Sequence, residues 1–186
     1  VGGRYGLSSK NTTPAQIKSV YDMLEAQPKH NFTIGICDDV THTSLPVDST
    51  YQIDLGTREV LIYGFGSDGM VGASKDILHI VGTESDSYVQ GYFEYDSKKS
   101  GGVTVSNLRI GTQPILAPYY VTNPDLVVVT KSEYFEKFHI ISQMKPDSIL
   151  LVNTNDDVAL MSKFSNSDLE MLRSKNIQLL TIDSES

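Results

Sequence analysis

Apolar residues in this chain fall into short blocks set apart by polar, glycine-containing stretches. Spacing within each block separates strands from helices. At 59–63 the run E-V-L-I-Y ends at Gly64, the pattern of a strand buried on both faces. Residues 88–95 alternate and are rich in aromatic and β-branched types. Further strand-like runs occupy 32–36, 103–110, 126–130, 149–152 and 177–182. Helical spacing appears at 14–26, about 69–80, about 132–144 and about 167–175. Thr13 and Gln16 are placed to form a capping box around Pro14, and Pro28 stops that helix. Its expected apolar face is Ile17, Val20, Tyr21 and Leu24, and that of 69–80 is Val71, Ile77, Leu78 and Ile80. Ser132 and Ser167 are expected caps, the second with Glu170 three residues on.

Strands that alternate with helices imply an α/β fold: a doubly wound, mostly parallel sheet in a three-layer, Rossmann-like domain. We place residues 28–186 in that domain. Residues 1–10 read as a linker, and the whole of 1–27 as linker and helix from a preceding domain. The opening Val1-Gly2-Gly3 and the closing Asp183-Ser184-Glu185-Ser186 read as the ends of an excised or processed piece.

Composition narrows the function. The chain has 186 residues and a formal charge of −8. An acidic balance argues against nucleic acid, whose binding relies on Lys and Arg at phosphates. No run of eighteen apolar residues is present, so no membrane partner is expected. Cys37 is the single cysteine, too few for an iron–sulfur cluster, which needs about four thiolates. It suits a reducing, cytoplasmic setting.

The local motif with most chemical content is Gly64-Phe65-Gly66-Ser67-Asp68-Gly69. It matches G-x-G-x-x-G between an expected strand and an expected helix, the context that motif requires. Glycines there allow a tight turn and close approach of a ligand to backbone amides at a helix start. Gly72 offers a further small position for packing on the sheet, and Lys75 lies within reach of a phosphate. The alternative is a tight turn that binds nothing. An acidic ribose partner is expected about twenty residues on. Glu84 and Asp86 sit at that distance but precede the next strand. The strand's far end carries Lys98, Lys99 and Ser100 before Gly101-Gly102. That cluster favours a nucleotide with an extra phosphate, coenzyme A or NADP, against the alternative of a solvated basic turn. Arg109 either adds charge there or is a surface residue on a strand. The loop 38–44 (D-D-V-T-H-T-S) matches no metal pattern, and its hydroxyls are expected to satisfy the turn backbone or to touch a neighbouring domain. His30, His79 and His139 are scattered, and no catalytic or metal-ligating residue is assigned.

G-F-G-S-D-G-M-V-G-A-S-K (64–75) and Q-G-Y-F-E-Y-D-S-K-K-S-G-G-V-T-V-S-N-L-R (90–109) resemble blocks of the pyruvate:ferredoxin (flavodoxin) oxidoreductases. The family pattern is G-x-G-S-D-G-T-V-G-A-N-K, so Met70 and Ser74 are departures. R-Y-G-L-S-S-K (4–10) and D-D-V-T-H-T-S-L-P-V-D (38–48) are similar too, and 149–153 resembles the family's strand followed by Asn. The resemblance implies the gamma domain, which is associated with coenzyme A. It assigns Gly64, Gly66, Ser67, Asp68, Gly69, Val71, Gly72 and Lys75 to the nucleotide phosphates, with Lys98, Lys99 and Ser100 as a second cluster. It also implies a parent enzyme that converts pyruvate and coenzyme A to acetyl-CoA and CO2. In that parent, thiamine diphosphate, Mg2+ and iron–sulfur clusters sit on other domains of the same polypeptide. Ferredoxin, flavodoxin or a fused flavin reductase using NADP accepts the electrons, and the parent is a homodimer. The compartment is the cytoplasm or a mitochondrion-related organelle. Two alternatives remain: a packing module between domains, and an NADP-binding dehydrogenase domain.

Overall fold

The computed structural model describes all residues except 7, 37–38, 97–101 and 185–186. It separates into two compact units, Val1–Leu55 with Leu116–Tyr120, and Gly56–Ile115 with Val121–Ser186.

In the first unit, β1 (Gly3–Tyr5) and β2 (Phe32–Ile34) pair in parallel across helix α1 (Pro14–Ala26). Residues 1–10, read as a linker, thus contain a strand and a 3-10 turn at Ser9–Asn11. The capping box forms as expected: Thr13 N donates to Gln16 Oε1 at 3.0 Å, and Gln16 N to Thr13 Oγ1 at 3.4 Å. The expected apolar face does not hold throughout. Ala15 and Ser19 are buried, whereas Ile17 and Tyr21 are exposed. Both exposed residues line a groove shared with Tyr5, Tyr51 and Ile53. In the loop after β2, Asp39 accepts the amides of Thr43 and Ser44 and the Thr41 hydroxyl. Those bonds, the Ser44 amide first, hold its carboxyl below the usual value.

The second unit is built on a six-stranded sheet. Its strands are β3 (Thr57–Phe65), β4 (Tyr88–Tyr95), β5 (Val103–Gly111), β6 (Leu126–Val129), β7 (Ile149–Asn153) and β8 (Gln178–Ile182). Their order is β4-β5-β3-β6-β7-β8. Only β5 runs against its neighbours, so the sheet is mostly parallel, as expected. Helix α2 (Met70–Glu84) joins β3 to β4 and packs on β3, β4 and β5. Beyond β6 come α3 (Ile140–Gln143), α4 (Asp157–Met161) and α5 (Asn166–Ser174).

Handedness decides which face each helix takes. A crossover between parallel strands is right-handed in nearly all cases. The step from β3 to β4 moves one way along the sheet, and the steps β6 to β7 to β8 move the other way. The helices therefore fall on opposite faces. One core joins Leu61, Tyr63, Val127, Val129, Leu150 and Val152 of the sheet to Ile140, Ile141, Met144, Leu160 and Phe164. Gly91, whose neighbour across β5 is Leu108, faces Leu78 of α2 on the other side.

The expected helix over 132–144 is broken into a 3-10 turn, Ser132–Glu136, and the short α3. Tyr134 and Phe135 are buried, and so are Ile140 and Ile141. Residues six apart on one α-helix stand about 120° apart at 3.6 residues per turn, so these four would spread over about 220° of its circumference. The chain must break for both pairs to reach one core. The last helix is capped by Ser165 rather than Ser167, with Asp168 closing the box. Ser132 is not a cap; Lys131 precedes the turn without a side-chain cap bond.

Candidate functional site

Strand β3 ends in the glycine-rich turn, and close contacts explain two of its glycines. A Cβ on Gly64 would lie 2.9 Å from Met70 Cβ and 3.0 Å from Thr104 Oγ1. Gly66 N donates to Gly102 O at 2.8 Å, and a Cβ there would come within 3.2 Å of that oxygen. Gly69 has open space around it but a φ of +84°, the left-handed region that glycine tolerates. Ser67 shares that region at φ 81°. Asp68 fixes the turn: Oδ2 accepts Phe65 N at 2.6 Å, and Oδ1 accepts Met70 N at 2.9 Å. Val71 and Gly72 follow at the start of α2, where amide groups lie outside the intrahelical ladder.

The close-packed small residue of α2 is Ser74 rather than Gly72. Ser74 is fully buried and donates to Met70 O at 2.6 Å, whereas Gly72 faces open space. Lys75 lies with its Nζ 5.4 Å from the centre of the Phe93 ring, toward β4. Ile77 and Ile80, expected inward, are exposed. Lys98, Lys99 and Ser100 lie outside the described residues. The residues bracketing them are tied to the turn's end of the sheet, with Asp96 N donating to Val103 O at 3.1 Å and Gly102 O bonded to Gly66.

Across from the glycine turn stands the loop after β6. Thr130 N donates to Tyr63 O at 3.0 Å, and Thr130 Oγ1 reaches Asp68 Oδ2 at 3.4 Å. Lys131 Nζ sits 3.9 Å from the centre of the Phe65 ring. Tyr134 donates its hydroxyl to Gly64 O at 3.2 Å, and burial first, then the Asp68 carboxylate, pushes its phenol up. These two loops flank the point where the strand order reverses, between β3 and β6. In open α/β sheets ligands bind in that crevice, outside the carboxyl ends of the strands. A cleft of about 600 Å³ opens there. Met70, Val128 and Ile182 give it apolar walls, and Thr130, Lys131 and Asn153 give it polar groups. Asn153 is held by Ser184 N, which donates to its Oδ1 at 3.0 Å. Three carboxylates, Asp68, Glu133 and Asp183, line the cleft beside Lys131.

Thr130, Lys131 and Ile182 carried no site signal in the sequence, because only the strand order brings them to the turn. Asn153 had one, the resemblance at 149–153. Arg109 is not a surface residue. It is 1% exposed, with Nε donating to Glu59 Oε1 at 2.6 Å and Nη1 to Gln90 Oε1 at 3.1 Å. Glu59 lies about 20 Å down β3 from the turn at roughly 3.3 Å per residue. His30 Nδ1 accepts Gly2 N, and His139 stands at the cap of α3.

A mostly parallel sheet, a glycine-rich turn before α2 and a cleft at the strand reversal together define an open, doubly wound α/β domain. The family model described as pyruvate ferredoxin/flavodoxin oxidoreductase matches residues 59–186. The chain belongs to that family. Pyruvate:ferredoxin oxidoreductase of Moorella thermoacetica is 43% identical over 98% of this chain and 16% of its own length. Pyruvate-flavodoxin oxidoreductase of Enterobacter agglomerans is 47% identical over 86% of this chain and 14% of its own. The chain thus spans about one sixth of the length of such relatives. The crystal structure of pyruvate oxidoreductase subunit PORC from Thermotoga maritima is 25% identical and superposes with a TM-score of 0.50, covering 69% of this chain and 63% of that one. Among the described residues, no helix is long and apolar enough to cross a membrane.

Proposed function

We propose that this chain is the gamma-type, coenzyme A-binding part of a 2-oxoacid oxidoreductase that converts pyruvate and coenzyme A to acetyl-CoA and CO2. The observation that carries this reading is the cleft at the strand reversal, with the glycine turn on one wall and Thr130 and Lys131 on the other. Its charge sorts the ligand into parts. With Asp68, Glu133 and Asp183 beside one lysine, the cleft suits the neutral amide-bearing arm of coenzyme A. The phosphates go to the start of α2, at Val71 and Gly72, and to Lys98, Lys99 and Ser100. Gly64, Gly66, Ser67 and Gly69 shape that corner, and Asp68 holds it through two amides rather than touching phosphate. Lys75 is the outlying member of the set. On this reading residues 28–186 form the gamma-type domain and 1–27 the segment before it.

Thiamine diphosphate, Mg2+ and iron–sulfur clusters belong to other domains of the parent. One cysteine in the whole chain is too few thiolates for a cluster. Ferredoxin, flavodoxin or a fused flavin reductase takes the electrons, and the relatives' names support the first two. The parent is a homodimer acting in the cytoplasm or in a mitochondrion-related organelle.

Calorimetric titration of the full-length protein with coenzyme A tests the reading. Saturable binding that weakens at least tenfold in Lys98→Ala/Lys99→Ala supports it. Heat indistinguishable from dilution at millimolar coenzyme A removes it and leaves the interdomain packing role. Tighter binding of NADPH revives the dehydrogenase alternative.

A further inference from the structure

Among the described residues of the second unit, no helix lies over half of one sheet face. Val127, Val129, Leu150 and Val152 point into the core, so the alternation of a strand sends Val128, Ile149 and Leu151 to the opposite face. Register with β7 adds Leu180 and Ile182 of β8 to that face. Leu180 is 41% exposed and Ile182 is 52% exposed, while Val128, Ile149 and Leu151 are half-buried. Helix α2 lies on the same face but over β3, β4 and β5, with Ile77 exposed.

A parallel sheet is found almost only with both faces covered. Yet the right-handed crossovers of this half put every connection from β6 to β8 on the other face. Its own connections cannot supply the missing layer. Three strands at about 4.8 Å spacing make a bed about 10 Å wide, the diameter of one helix with its side chains. Relatives at 43% identity have about five sixths of their length outside the matched segment.

We propose that this face seats an amphipathic helix from the same polypeptide, outside residues 1–186, laid beside α2 as the second helix of that layer. Its buried stripe is apolar at i, i+3, i+4 and i+7, resting on Leu151, Leu180 and Ile182. Val128 and Ile182 of this face also wall the cleft. The inference does not depend on which ligand the cleft takes.

The test uses the full-length protein. A photo-crosslinking amino acid is placed at Leu180 and, separately, at Ile182, and the products are mapped by mass spectrometry. Intramolecular crosslinks into one segment beyond 1–186, at positions three or four apart, support the proposal. Crosslinks to a second copy, crosslinks back into 1–186, or only water-quenched probe overturn it. Hydroxyl-radical footprinting of the unsubstituted protein avoids any folding defect. Leu180 and Ile182 are expected to oxidise at least fivefold more slowly than Val158, which is 83% exposed on the opposite side's α4. Comparable rates at the three residues overturn the proposal.

Discussion

Arg109 shows what a single buried charge asks of its surroundings. Its guanidinium meets Glu59 at 2.6 Å, and Lys145 approaches the same carboxylate at 3.8 Å and Asp125 at 3.1 Å. Removing one partner of such a pair leaves an uncompensated buried charge, which costs about 3–5 kcal/mol. Arg109→Met is expected to lose an amount near the lower figure in urea unfolding, because Lys145 stays near Glu59. Adding Glu59→Leu should recover more than half of the loss, and a double variant no more stable than the single one contradicts this account. Glu94 gives a pH-dependent counterpart. Burial pushes its carboxyl above the ordinary value of 4.5, against the pull of the Asn107 amide bonded to it at 2.9 Å. An acid whose folded value is raised stabilises fully below the unfolded value, and that contribution is lost as pH rises through the folded value. Glu94→Gln keeps an acceptor for Asn107 and removes the ionisation. Its melting midpoint should exceed the parent's at pH 7 by up to about 2–4 °C, and converge with it below about pH 4. Neither role was legible in the sequence. Arg109 and Glu94 stand on strands that alternate with polar residues, and pattern alone assigns such positions to solvent. Only the pairing of β3, β4 and β5 brings Glu59, Gln90 and Arg109 together.

At the scale of elements, the glycine turn separates two reasons for having no side chain. Gly69 has nothing within 4 Å of a would-be Cβ, so Gly69→Ala meets only the left-handed backbone, at about 1–2 kcal/mol. Gly64 has a Met70 Cβ waiting at 2.9 Å, and forcing a methyl into such packing costs about 1–3 kcal/mol. Both variants should unfold at lower urea. Gly64→Ala should also loosen the Tyr134 bond to Gly64 O, seen as a shifted Tyr134 hydroxyl or ring resonance that Gly69→Ala lacks. Local signals made this corner legible: an apolar run, a G-x-G-x-x-G turn and a helix behind it. The capping box at Thr13 was legible for the same reason, since cap and partner are three residues apart. The broken helix at 132–144 was not. Apolar residues there satisfy helical spacing locally, but Tyr134, Phe135, Ile140 and Ile141 share one core, and that demand comes from β3, β6 and β7. Ser165 and Ser167 each precede an acidic residue by three positions, so the sequence alone does not choose between them.

For the whole molecule, strand alternation announced a mostly parallel α/β sheet, but the order of the strands set the site and was silent in the sequence. Reversal between β3 and β6 makes the cleft, and the same reversal leaves the apolar half-face bare. That bareness has a consequence for the chain 1–186 on its own. At pH 7 a net charge of −8 keeps copies apart. Near the isoelectric point of about 4.9 that repulsion vanishes, while Leu180 and Ile182 on the edge strand β8 stay exposed. An uncharged, apolar edge strand (Q-L-L-T-I) is a template for pairing with another copy. Light scattering of 1–186 should therefore rise steeply as pH falls from about 6 to 5, and a lysine on the edge blocks such pairing. Leu180→Lys restores repulsion at the very contact and should suppress the rise, whereas Ser167→Lys, on the far helix α5, changes net charge equally and should not. If both lysines act alike, association follows net charge alone and the bare sheet face plays no part in it.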